Sequence, residues 1–251
     1  MLAIILIISG LLTGLVAYYQ PASFVSGDSL GFYGAGWGSF ANFVVVLSAA
    51  FFGGDAISGE FQNRTGYFLV PNPIRRASIY VGKYLAALAA SSVILGIFAL
   101  IMMANVFYYF PSDPVPWGFV QSVIFAWVYL LAALALTFAF SSLFKSSSIS
   151  ILMSVILLLF VFDVVDTVAS IVVGIEPWFS ITYGAGIVSN VLTVPYPPNH
   201  ISQSVPVGGG RLFRFATYNA TIPEGLVILL LYFAIMAIIG LLLFQRKEFT
   251  S

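Results

Sequence analysis

Asp163 and Asp166 stand three residues apart inside an otherwise apolar stretch, so a helix there would carry both carboxylates on one face. A charge held in a bilayer costs about 2.5–3.5 kcal/mol on insertion scales. Such a pair can line a water-filled path or take up a proton or a cation. The other reading is packing, with both groups protonated or hydrogen-bonded to a neighbouring helix. Charge gathers at a second place, the polar segment that runs from Gly53-Gly54-Asp55 to Gly82-Lys83. It holds Arg64, Arg75, Arg76 and Lys83, four of the nine basic residues of the chain. Ile57, Phe61, Phe68 and Leu69 fall near one helical face, Gln62, Asn63 and Arg64 on another, and Asp55 is in position to cap a helix. A short amphipathic element of this kind can lie along the membrane and grip a cytoplasmic protein, or its arginines can serve as topological anchors alone.

Other chemistries are excluded by composition. There is no cysteine and a single histidine, His200, which is expected in a loop and not at a metal. Net charge is zero, so nothing points to nucleic acid. A phosphate-binding loop needs Gly-x-x-x-x-Gly-Lys-Ser/Thr. Here Gly82-Lys83 is followed by Tyr84, and Gly208-Gly209-Gly210 by Arg211. The chain is therefore expected to have no catalytic residue and no cofactor of its own. Asn219-Ala220-Thr221 is a glycosylation sequon.

The elements that must position these residues are membrane spans. The 251 residues are 61% hydrophobic and 7% charged, against about 25% charged in a soluble domain. Mean hydropathy is +1.05. Six stretches reach the roughly 20 apolar residues that cross a bilayer, at about 1–19, 38–54, 84–108, 118–144, 149–173 and 225–244. They lack strand alternation, so they read as helices and the chain as an all-α integral membrane protein with six transmembrane helices in one domain. Seven basic residues then share one side, and the excess of Lys and Arg puts it in the cytoplasm with both termini. Residues 55–83 are the cytoplasmic segment. Residues 20–37 and 174–224 lie outside, the latter apolar enough around Trp178 to Leu192 to dip back into the membrane as a re-entrant element. Gly10 and Gly14 form a GxxxG that can bring helices close.

The segment that opens at Asp55 also carries a resemblance. Asp55-x-Ile57-Ser58-x-Glu60, then Arg64-Thr65-Gly66, then Leu69-x-x-x-Pro73-Ile74-x-Arg76 and Gly82-Lys83 resembles the membrane subunits of ATP-binding-cassette (ABC) transporters of the type 2 exporter class. In two places the pattern departs, with Thr65 before Gly66 and with Pro71-Asn72-Pro73. Members also begin with an interface helix ahead of the first span, whereas this sequence starts within that span. The resemblance implies a permease half with a bundle of six helices, whose 55–83 segment docks a separate ATPase. Glu60, Arg64, Thr65, Gly66, Pro73, Arg75 and Arg76 are the coupling residues it implies. It further implies soluble ABC ATPase subunits that bind Mg-ATP, a second permease forming a homo- or heterodimer, surrounding lipid, alternating access, and a multi-pass place in a prokaryotic cell membrane. Because the pathway in this class is mostly apolar, packing becomes the preferred reading of Asp163 and Asp166. An ion-coupled secondary transporter using the two aspartates is the alternative, with a membrane-embedded enzyme behind it.

Overall fold

Asp28 caps the helix that begins at Ser29. Its backbone is extended and its carboxylate accepts from the Gly31 amide at 2.9 Å, the arrangement of an N-terminal cap. The structure, a computed structural model, describes residues 10, 14, 18, 28–63, 75–113, 115–207 and 211–246, with side chains omitted at 203–207 and 211–215. Among these, five helices are long and apolar enough to cross a membrane: α1 (Ser29–Gln62), α2 (Arg76–Tyr109), α3 (Trp117–Leu143), α4 (Ser147–Val173) and α7 (Ile222–Arg246). The predicted first span lies outside the described residues except at Gly10, Gly14 and Tyr18, all helical. A Cβ built on Gly10 or Gly14 meets nothing within 4 Å among the described residues.

Three sequence expectations are corrected here. Residues 29–37, read as part of an outside loop, belong to α1. Gly34–Gly38 forms a π-helical turn that continues the helix. Gly36 admits Met102, whose Cε would sit 2.2 Å from an added Cβ. Trp37, fully buried, stacks on Phe98 with ring centroids 5.2 Å apart and donates to Ser122 Oγ at 2.8 Å. Glycine in this run serves close packing and not a turn. Secondly, α2 begins at Arg76, so the last part of the 55–83 segment is helix.

Thirdly, the chain is not wholly α-helical. Between α4 and α7 lie two short helices, α5 (Ile181–Ala185) and α6 (Ile187–Asn190), and an antiparallel hairpin of β1 (His200–Val207) and β2 (Arg211–Tyr218). The register runs from His200↔Tyr218 to Val207↔Arg211. His200 is therefore a strand residue, its ring 4.9 Å from that of Tyr218. Gly174, at φ 72°, ends α4 in the left-handed conformation that an L side chain resists. The connection beyond it is packed. Ile181, Ile187 and Val188 are buried, and the Tyr232 and Tyr218 hydroxyls donate to the Phe179 and Gly174 carbonyls at 2.6 and 2.7 Å. Outside the spans, burial holds the Tyr183 hydroxyl above the usual phenol range, and its hydrogen bond to Glu176 adds to this.

α3 is the centre of the bundle. Ala126, Ala132, Ala133 and Ala135 have no exposed surface, and α1, α2, α4 and α7 all pack on it. Small side chains are what allow helices to approach this closely without a hydrophobic drive between them. α4 and α7 instead turn large apolar residues outward, Val172 and Leu231 among them.

Candidate functional site: the elbow at the end of α1

The polar segment picked out by its charges begins where α1 bends. Gly53 and Gly54 bring α1 against α3 and α4. A Cβ on Gly53 would lie 2.0 Å from Thr137 Oγ1, and one on Gly54 would lie 2.9 Å from Ile151 Cγ1 and 3.1 Å from its backbone. The helix then breaks at Ala56-Ile57 and resumes for one turn, Ser58–Gln62. The break frees backbone amides in a buried place, where an unmet donor costs about 1–3 kcal/mol. Ser141 of α3 meets two of them, since its Oγ accepts from Ile57 N at 3.0 Å and from Ser58 N at 2.9 Å. Ser58 Oγ in turn donates to the Gly54 carbonyl at 2.7 Å.

Charge holds the other side of the elbow. Lys83 of α2 donates to the Ala56 carbonyl and forms a salt bridge with Glu60 at 2.5 Å; the two side chains are 24% and 22% exposed. Two further bonds reach α4. Gln62 Oε1 accepts from Ser147 N at 2.8 Å, and Asp55 accepts from the Ser147 hydroxyl. Ser147 opens α4, so its amide is one of the unpaired donors of a helix start, and an anionic Asp55 beside it is favourably placed in the helix dipole. Asp55 was expected to cap a helix by its own backbone position. It is the last residue before the break, and it supports the start of α4 instead.

The candidate coupling residues divide. Glu60 is turned inward to Lys83, with its second oxygen unpartnered. Arg76 Nη1 donates to the Gln245 carbonyl at 2.9 Å and ties the start of α2 to the end of α7. Arg75 is exposed. Arg64, Thr65, Gly66 and Pro73, with Phe68 and Leu69, lie outside the described residues. Ile57 is buried, Phe61 half-buried, and Gln62 and Asn63 exposed, the partition expected of an amphipathic turn. Lys83, Ser141 and Ser147 complete the elbow. Spacing could not reveal them, because each belongs to a different helix, although the Gly82-Lys83 pair marked one of the three positions.

A matching family description, "ABC-2 family transporter protein", covers residues 3–249. The chain belongs to this ABC-2 transporter family. It is a multi-pass membrane protein and the permease component of an ABC transporter, a class of membrane subunit that works with an ABC ATPase and is typically not itself catalytic. No curated protein matches the chain.

The two aspartates of α4 are parted by the structure. Asp166 accepts from Thr182 Oγ1 of α5 at 2.6 Å, a packing contact between α4 and the connection that follows it. Asp163 is exposed from α4 along a cavity against α1 and α3. Asn219 follows β2. Its side-chain amide donates to the Pro198 carbonyl at 3.0 Å and its backbone amide to the Asn199 carbonyl at 2.8 Å.

Proposed function

We propose that the ABC-2 permease is one membrane half of an ATP-driven exporter and that the elbow between Asp55 and Lys83 receives the ATPase stroke. What supports this reading is the way the elbow is held. One bend of backbone is tied to α2 through Lys83, to α3 through Ser141 and to α4 through Ser147. A push on that bend reaches three spans at once. In this reading two permeases, alike or different, enclose the pathway and two soluble ABC ATPases bind Mg-ATP. Nucleotide-driven closure rocks the elbows, and the space between protomers opens alternately to each side. Both termini and residues 64–74 face the cytoplasm. The sequence stretch 1–19 supplies a sixth span, and the 174–224 connection lies outside with its apolar part set into the membrane. The setting is a prokaryotic cell membrane, and Asn219 carries sugar only where the host attaches it.

The experiment is recovery of the tagged full-length permease from its own host under mild detergent. A soluble ABC ATPase should co-purify, and Arg75→Glu should weaken its recovery while leaving the thermal melt of the permease unchanged. ATP-independent counterflow by the permease alone in vesicles would instead favour an ion-coupled carrier.

A further inference from the structure

A cavity of about 240 Å³ opens between α1, α3, α4, α5 and α6, bounded by Asn42, Tyr129, Asp163, Thr182 and Ser189. Its polar lining is made of neutral groups and one carboxylate, and it is short of partners. Tyr129 is 1% exposed, yet among the described residues its hydroxyl has no hydrogen-bond partner, and neither does Asn42 Oδ1. Leaving such groups unmet in an apolar interior is expensive, so the space calls for a polar occupant.

Among the described residues Asp163 forms no ion pair. The basic residues are Arg64, Arg75, Arg76, Lys83, Lys145, Arg211, Arg214, Arg246 and Lys247, and none falls within 84–144 or 146–210. Residues 1–27 contain no Lys, Arg or His. Asp163 lies 16 residues along α4 from Ser147, about 24 Å of helix rise, beyond the reach of Lys145. Arg214 stands four residues up β2 from Tyr218, about 13 Å of strand. The neighbouring Asp166 accepts from Thr182 and does not line the cavity, so Asp163 is the carboxylate that does.

We propose that this cavity binds a hard monovalent cation of the Na⁺ class, with Asp163 supplying the charge and Tyr129 Oη and Asn42 Oδ1 the neutral oxygens. Hard cations take carboxylate, carbonyl and hydroxyl oxygens, and divalent ions are commonly held by several carboxylates, which this cavity does not provide. The volume leaves room for water to complete the coordination shell, at about 30 Å³ for each molecule. The site is independent of the exporter reading, since it concerns binding to the permease alone.

The test uses the purified full chain, with ²²Na⁺ as the probe and choline chloride holding ionic strength constant. Saturable binding of about one Na⁺ per chain is expected, accompanied by a Na⁺-dependent rise in melting temperature. Asp163→Asn should weaken binding by about tenfold or more, the scale of losing a charged partner. Tyr129→Phe, which keeps the ring and therefore the packing, should weaken it less but measurably. Asp166→Asn, whose side chain does not line the cavity, should weaken it far less than Asp163→Asn. Equal protection by choline, unchanged binding in Asp163→Asn or in Tyr129→Phe, or equal losses in Asp163→Asn and Asp166→Asn would each overturn the site. So would a protein that binds no Na⁺, whose cavity is filled by water or whose aspartate holds a proton.

Discussion

Lys83 is the residue on which the elbow depends most. Its ammonium answers both the Ala56 carbonyl, freed where α1 breaks, and the Glu60 carboxylate. Lys83→Met keeps the apolar stem and removes the charge. That change leaves Glu60 partly buried with no cation, and about 1–3 kcal/mol of stability should be lost. Adding Glu60→Gln should recover part of it, because the stranded charge is then gone. Melting followed by tryptophan fluorescence reads both effects, and two fully additive losses would show that the pair is not coupled. Neither residue could have been paired from spacing. They lie 23 positions apart, and Glu60 was read as facing a partner protein because it sits in the most charged segment. Charge marks where a segment is polar but not which neighbour it meets.

Among the elements, α1 makes close contacts with α3 and α4 through Gly53 and Gly54. Gly53→Ala would bring a methyl to 2.0 Å from Thr137 Oγ1, and overpacking of this kind costs about 1–3 kcal/mol. Thr137→Ala in the same chain should return much of that loss, since it removes the atom that is struck. Comparison of detergent melts for the two single variants and the double variant checks this. The spans themselves were legible, because an apolar run of some 20 residues has few other uses. The start of α1 was not. Gly34-Ala35-Gly36-Trp37-Gly38 has the composition of a loop, and only the burial of Trp37 against Phe98 and Ser122 makes it helix. The hairpin was hidden for a similar reason. The three glycines at 208–210 promised a turn, but Pro206 within β1 argues against a strand unless the strand is at an edge, as both strands of a two-stranded sheet are.

At the scale of the whole molecule the question is which end faces which side. Among the described residues Arg75, Arg76, Lys83, Lys145 and Arg246 gather at one end, and the hairpin occupies the connection between α4 and α7. The chain has no cysteine, so single introduced cysteines report cleanly. A cysteine at Ser202, an exposed strand residue, should react with an impermeant maleimide on intact cells, and one at exposed Arg75 only after the membrane is broken. The reverse pattern would turn the topology over.

Ser141 has a mechanical consequence. A single oxygen on the most enclosed helix holds two successive amides of the bend. Under the coupling reading proposed above, Ser141 would be the fulcrum of the bend and the turn after Ile57 a short lever arm. Pressure on the arm would then pass to the first residue of α4, which Gln62 at the end of the arm and Asp55 on the other side of the fulcrum both hold. The travel at that grip is then set by the distances to the fulcrum, and a change in the length of the arm would alter the stroke without touching either end of the linkage.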